Sequence, residues 1–314
     1  MDVFKGHAAV PKGYGDAAVT IGNFDGVHLG HRALLGHAID RARALGRKTI
    51  VYTFEPHPVR ILNPSLSPLR ITPDVEKVRL IGEVRAGAFG VDAVVVEPFT
   101  REFAGLSPDD FVAKVLVSAL AMKQLIVGYD FSYGKGGAGN TASLAQAAQS
   151  FGFILDIVSQ QTFDGVVASS TKIREFLLSG QVDGARLLLG RDYSLVGTVV
   201  HGQKRGRTIG FPTANVRTDY ELVPRYGVYA CRVSVGAEIY GAVTNVGVRP
   251  TVEGSSATPT IEAHLFDFEG DLYDREVRVA FVSHIREERK FSGFDALKAQ
   301  IALDAGVARE RLRA

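Results

Sequence analysis

Short apolar runs alternate with helix-like stretches through the first half of the chain. Residues 17–21, 48–54, 93–96, 125–127 and 154–158 read as strands. Helices are expected after the Gly-rich turn at 22–30, after Thr72-Pro73-Asp74 with Thr72 as cap, after Ser107-Pro108-Asp109-Asp110, and across the Ala-rich stretch 141–151. Strands alternating with helices predict an α/β unit: a parallel, Rossmann-like sheet covered on both faces. Ligands of such sheets bind beyond the carboxyl ends of the strands.

From Tyr193 onward the pattern changes. β-Branched runs at 194–201, 229–235, 239–245, 260–266 and 277–282 are separated by Gly and Pro turns, which predicts an antiparallel barrel or sandwich. A helix over 181–189 connects the halves and an amphipathic helix over 293–305 closes the chain, so domains of 1–184 and 185–314 are expected.

Composition narrows the class more than the fold. The 314 residues are 46% apolar and 22% charged, ordinary for a globular protein, and a net charge of +2 argues against a polyanion binder. With Cys231 the only cysteine, disulfide frameworks and Cys-based zinc sites are excluded, and a reducing, cytoplasmic setting is expected. The first ten residues lack an apolar signal core, and the apolar stretch 111–122 is too short to span a bilayer, so no membrane partner is expected.

Chemistry concentrates in four places. His28 and His31, three residues apart, follow the strand at 17–21 and should lie on the first turn of a helix, where backbone N–H groups are unpaired. Both imidazoles can carry charge near neutral pH. A bare i, i+3 pair is most often a surface or core pair, and the glutamate of a zinc motif is absent. Gly22, Gly26 and Gly30 shift the reading towards a phosphate, because they let backbone approach a ligand. A second anion site is suggested by Ser169-Ser170-Thr171-Lys172-Ile173-Arg174 at a helix start, although an ordinary cap has the same pattern. A third is the basic loop 202–210, with Gly202, Lys204, Arg207 and Gly210, running into Thr213 and Asn215 as oxygen donors for a phosphate-bridging Mg²⁺. A solvated hairpin or an RNA-contacting loop is the alternative there, but the stacking aromatics of RNA binders are missing apart from Phe211. Glu262 alternates with Ile261 and Ala263 on a strand and is a candidate general base if it faces a pocket. The glycines at 134–139 match neither a P-loop nor a tight dinucleotide turn, because their spacing and distance from the strand end are wrong.

These residues resemble the bacterial bifunctional riboflavin kinase/FMN adenylyltransferase (FAD synthetase) family from near Asp16 to Asp304. The matching motifs are Gly22-Asn23-Phe24-Asp25-Gly26-Val27-His28-Leu29-Gly30-His31, Thr53-Phe54-Glu55-Pro56-His57-Pro58, Gly128-Tyr129-Asp130-Phe131 and Ser169 to Arg174. In the second half they are Gly210-Phe211-Pro212-Thr213-Ala214-Asn215, Asn245-Val246-Gly247-Val248-Arg249-Pro250-Thr251, Glu262, and Arg286 to Phe291. The resemblance implies a nucleotidyltransferase domain followed by a flavokinase barrel with a terminal helix. It implies two reactions, riboflavin plus ATP to FMN and FMN plus ATP to FAD. It implies Glu262 as the base for the ribityl hydroxyl, and Thr213 and Asn215 as partners of Mg²⁺ and the ATP phosphates. In the other site it implies His28 and His31 stabilising the phosphates in the transition state, Ser170, Thr171 and Arg174 holding the leaving pyrophosphate, and Asn23, Asp130 and Phe131 as further site residues. No nucleic-acid partner is expected.

One departure stands out. The family commonly has Arg and an acid where this chain has Ser132 and Asn140. Two alternatives follow: a chain retaining only the kinase reaction, or a non-catalytic flavin- or RNA-binding regulator. The His28/His31 pair and Glu262 argue against the regulator, since binding alone does not need them.

Overall fold

In residues 17–21 the apolar run is split between two cores. Ala17, Val19 and Ile21 pack with Ile50, Tyr52, Val95 and Leu125 beneath Phe111, Val112 and Leu116. Ala18, Val51, Val94 and Ile126 face Leu35, Ile39, Leu80 and Ile81 on the other side. Each central strand is therefore apolar on both faces, as a sheet covered by helices on both sides requires. The structure is a computed structural model that describes residues 1–12, 14–202, 211–248 and 259–313. The chain divides into two units, Met1–Ala168 and Ser169–Ala314.

The first unit runs β1 (Asp2–Lys5), β2 (Ala17–Ile21), α1 (Leu29–Ala44), β3 (Lys48–Glu55), α2 (Pro58–Leu62), α3 (Asp74–Gly82), a ribbon of β4 (Arg85–Ala86) and β5 (Phe89–Gly90), and β6 (Ala93–Pro98). It continues with α4 (Arg101–Ala104), α5 (Pro108–Asp110), a π-helical segment Phe111–Ala119, β7 (Met122–Gly128), α6 (Thr141–Phe151), β8 (Ile154–Val158) and a ribbon of β9 (Thr162–Phe163) and β10 (Val166–Val167). The six-stranded sheet has the order β1-β6-β3-β2-β7-β8 and every pairing in it is parallel.

The second unit opens with α7 (Ser170–Leu178) and α8 (Val182–Leu189). Strands β11 (Tyr193–Val200), β12 (Ala214–Arg217), β13 (Gly227–Val235), β14 (Glu238–Val248), β15 (Pro259–Leu265) and β16 (Glu276–Arg286) close into an antiparallel barrel ordered β11-β12-β15-β14-β13-β16. Helix α9 (Phe294–Arg313) lies on its outer surface, where Ala305, Ala308 and Leu312 pack with Val228, Ala230, Val243 and Phe266. The Arg286 guanidinium at the end of β16 grips Asp304 of α9 through Nε and Nη2 at 3.0 and 2.7 Å.

Three expectations need correction. Thr72 does not cap α3; Pro73 is the N-cap residue, and the Thr72 hydroxyl instead accepts from the Gly26 amide at 3.2 Å. The closing helix runs eight residues past 305, because Ala308 and Leu312 extend its apolar contact with the barrel. Strands β1 and β12 were not expected: Asp2-Val3-Phe4-Lys5 and Ala214-Asn215-Val216-Arg217 each hold only two apolar residues and so lack the apolar run that marked the other short strands.

Candidate active sites

Strand β2 is where the parallel sheet changes direction. The chain leaves it for β3 on one side, and β7 later pairs on its other side before leading away to β8. Adjacent parallel strands whose connections diverge open a crevice at their carboxyl ends. The loops 22–28 and 129–140 leave from β2 and β7 at that crevice, and Phe54-Glu55-Pro56 leaves from neighbouring β3.

His28 is the N-cap residue of α1, and its Nδ1 accepts the backbone N–H of His31 at 3.3 Å. An Nδ1 that accepts carries no proton, so the capping ring presents Nε2–H as its donor. The His31 ring stacks on it, with centroids 3.6 Å apart and planes 19° from parallel, and Phe24 meets His31 edge-on at 5.2 Å. His31 is partly buried, and its Nδ1 is buried and lacks a partner among the described residues. Burial, reinforced by His28, holds the His31 pKa well below its ordinary value. The expectation of charge near neutral pH is therefore corrected for His31, whose protonation burial and the neighbouring His28 both oppose. Gly30 is closely approached: a Cβ there would press on the His28 imidazole at 3.1 Å and on Ala168 at 3.4 Å, so the stacked ring would have to give by a few tenths of an ångström. Asn23 is exposed and its carbonyl accepts from Thr53 Oγ1 at 3.2 Å, while Gly22 N–H donates to the Tyr52 carbonyl.

At the end of β3, Glu55 accepts from Arg70 Nη1 at 2.9 Å, and Lys77 Nζ lies 3.2 Å from Asp74. Burial, then hydrogen bonding and repulsion with Asp74, push the Glu55 pKa up to about 7, against the pull of Arg70 and Lys77. Beyond β7, Asp130 is exposed and Phe131 stacks on Tyr133 with centroids 5.7 Å apart. Gly139 exchanges backbone hydrogen bonds with Tyr133 and lies beneath its ring, so the loop's glycines serve its fold. In the second unit Ser169 is the N-cap of α7, accepting from Lys172 N–H at 3.2 Å. Ser170 and Thr171 are the first two helical residues and Arg174 follows one turn later.

On the barrel, Glu262 of β15 is paired with Asn215 of β12 on one side and Asn245 of β14 on the other. Directly opposed residues share a sheet face. Ile261 and Ala263 are buried while Glu262 is partly exposed, so the row Asn215-Glu262-Asn245 lies on the outer surface. Asn245 Nδ2 donates to Glu288 at 3.0 Å. A Cβ at Gly202 would overlap the Asn215 amide. Thr213 is exposed and lines a cleft at the barrel mouth with Val199, Ala263, Leu265, Phe268, Leu272 and Tyr273. Lys204, Arg207, Gly210, Arg249, Pro250 and Thr251 lie outside the described residues.

Residues 11–172 match the FAD synthetase family and residues 189–312 match the riboflavin kinase family. The Escherichia coli K12 protein named bifunctional riboflavin kinase/FMN adenylyltransferase is 43% identical over 93% of this chain and 91% of its own. The Bacillus subtilis protein of the same name is 36% identical over 95% and 93%. This chain belongs to the bifunctional riboflavin kinase/FMN adenylyltransferase family. A solved structure from Streptococcus pneumoniae, described as a macrolide-efflux protein, is 31% identical with a TM-score of 0.86 over 98% of both chains. No described helix of the present family member is long and apolar enough to cross a membrane.

The two departures from the riboflavin kinase/FMN adenylyltransferase pattern have visible surroundings. Ser132 is exposed, and Asn140 is the N-cap of α6, its Oδ1 accepting from Ala142 and Ser143 N–H at 2.9 and 3.0 Å. Residue-by-residue reading did not single out Glu55, Asp74, Asn245 or Glu288. Asn245, Glu55 and Glu288 each lie in a quoted motif and Asp74 in the quoted start of α3, but the pairing of these residues across distant parts of the chain carries no sequence signal.

Proposed function

We propose that this chain performs two ATP-dependent transfers on a flavin, phosphorylating riboflavin to FMN in the barrel and adenylylating FMN to FAD at the crevice of the parallel sheet. The observation carrying this reading is that each of the two family matches contains one polar cluster suited to its reaction: His28/His31 within 11–172 and Asn215-Glu262-Asn245 within 189–312. We place the functional boundary at 184/185, between those matches.

In the barrel, the ribityl 5′-hydroxyl oxygen attacks the γ-phosphorus of ATP, its proton passes to Glu262, and ADP leaves. Asn215 and Asn245 flank the carboxylate and limit its rotamers; the remainder is positioning, as in phosphoryl transfer generally. The apolar lining of the mouth cleft suits an adenine, with Lys204, Arg207, Gly202 and Gly210 on the phosphates. Thr213 and Asn215 offer neutral oxygen donors, and no cluster of three His, Cys, Asp or Glu occurs among the described residues. That donor set fits a Mg²⁺ held mainly by substrate phosphates and water. When bound, the ion neutralises charge on the ATP phosphates.

At the crevice, a phosphate oxygen of FMN attacks the α-phosphorus of ATP and pyrophosphate leaves. The nucleophile is already ionised, so no base is needed. His28 Nε2–H and the His31 imidazole donate to oxygens that gain charge in the transition state, Gly22, Asn23 and Gly30 admit the phosphates to the helix start, and Ser170, Thr171 and Arg174 hold the leaving group. Asp130 and Phe131 contact the flavin. The free, buried thiol of Cys231 accords with a cytoplasmic setting.

Incubating the purified chain with riboflavin, ATP and Mg²⁺ and resolving flavins by chromatography tests the reading. FMN followed by FAD is expected. FMN alone would reduce the chain to a kinase, and no conversion would sink both activities.

A further inference from the structure

The turn joining β2 to α1 is strained. Phe24, Gly26 and Val27 have φ of 50°, 83° and 39°. A β-branched residue rarely adopts positive φ, and such strain persists only where the surroundings over-determine it. Two sets of contacts do so here. Phe24 and Val27 are 0% and 1% exposed in the core above the sheet. Between them, the 5% exposed carboxylate of Asp25 accepts from Ile71 N–H at 3.0 Å and from Thr72 N–H at 3.1 Å, and the Thr72 hydroxyl lies 3.4 Å away. That hydroxyl in turn accepts from Gly26 N–H at 3.2 Å. A closed ring of hydrogen bonds thus ties the turn to the irregular segment entering α3. One residue before Ile71, Arg70 reaches Glu55 at the end of β3.

We infer that Asp25 is a positioning residue for adenylyl transfer. Its carboxylate holds the turn in the conformation that places His28 at the α1 N-cap and stacks His31 upon it, without touching substrate. The inference rests on the reading of His28 and His31 as the adenylyl-transfer pair. Charge-assisted bonds to two backbone N–H groups favour one fixed geometry. Without them Phe24 and Val27 can relax towards ordinary φ, and the cap and stack separate. A shift of about 1 Å at a reacting group costs on the order of 100-fold in rate.

The test uses the full chain with Asp25→Ala and Asp25→Asn, alone and combined with His31→Ala. For Asp25→Ala, kcat for FAD formation from FMN and ATP should fall by about 100-fold while KM for ATP changes little. FMN formation from riboflavin should hold, which reports that the barrel is intact, and a circular-dichroism melt should retain the transition of the first unit, Met1–Ala168, which reports that the unit carrying Asp25 is folded. Asp25→Asn keeps one acceptor oxygen and should recover part of the rate. Added to His31→Ala, the Asp25→Ala change should cost little more, because both act through one group. The ring-current-shifted His31 proton signals should move in Asp25→Ala, a readout independent of activity. Wild-type kcat in Asp25→Ala, unmoved His31 signals, or full multiplication of the two losses would each overturn the inference. If Asp25→Ala fails to fold, Asp25→Asn decides by the same criteria. Absence of FAD formation by the wild-type chain would instead refute the functional reading, while the histidine signals still judge the inference.

Discussion

The imidazoles of His28 and His31 lie face to face at 3.6 Å, and the His28 Nδ1 caps the amide of His31 itself. One ring holds the helix start and the other holds the first ring's face. Removing His31 should therefore stop adenylyl transfer without unfolding α1, since the cap is made to its backbone. His31→Ala is expected to lower FAD formation from FMN by about 100-fold or more, as for loss of one transition-state donor. FMN formation from riboflavin should continue. Parallel assays of the two half-reactions on one preparation check this, and equal loss of both in a folded variant would refute the two-site assignment.

His31 also gives stability a pH dependence. Its pKa is depressed in the folded chain by burial and by His28. Below about pH 6.5 the unfolded chain takes up a proton at this position that the folded chain refuses, so this contribution to stability is present above that pH and lost as pH falls towards the folded value. Melting temperature should drop between about pH 7.5 and 5.5 in wild type, and drop less in His31→Ala. Thermal melts in a phosphate-free buffer series measure the difference; identical slopes would mean that His31 does not control it.

The sheet and the barrel were legible because long apolar runs and turn residues are local signals. Strands β2 and β8 and helix α6 were read to the residue, and α7 at its start. The histidine turn was also legible as a helix start. What escaped depends on partners far along the chain. Asp25 binds residues 71 and 72, Asn245 meets Glu288, and the Thr72 hydroxyl turns back to Gly26 instead of capping its own helix. The downward shift of the His31 pKa escaped as well, because it depends on burial, with Phe24 and His28 packed against the ring.

Glu262 lies between two asparagines in one cross-strand row, with no other carboxylate in that row. Glu262→Gln retains the shape and removes the base. FMN formation should fall by roughly 10²–10⁴-fold, the range for loss of general base catalysis. Added FMN should still become FAD. Flavin chromatography with riboflavin or FMN as substrate separates these outcomes, and an unaffected kinase rate would remove Glu262 from the mechanism.

Gly202 lies against the Asn215 amide so closely that any Cβ would displace it. Gly202→Ala should therefore disturb the kinase site through Asn215 while leaving the barrel interior intact. The expected result is a lower kcat for FMN formation with little change in melting temperature. Wild-type turnover would show that the Asn215 position is not critical.

Asn140 stands where the family commonly has an acid, and its visible work is to cap α6. Its side chain accepts from Ala142 and Ser143 N–H, and Ser143 Oγ returns the bond by accepting from the Asn140 N–H at 2.9 Å. Asp and Asn are near-equal N-caps, whereas Ala lacks the acceptor. Asn140→Asp should leave both stability and FAD formation close to wild type. Asn140→Ala should cost about 1 kcal/mol, seen as a lower melting temperature of the first unit. It should also slow FAD formation, because α6 fixes the end of the loop carrying Asp130 and Phe131. If Asn140→Asp instead raised FAD formation several-fold at unchanged stability, the missing charge would itself be limiting, and the kinase-weighted reading of this chain would gain the advantage.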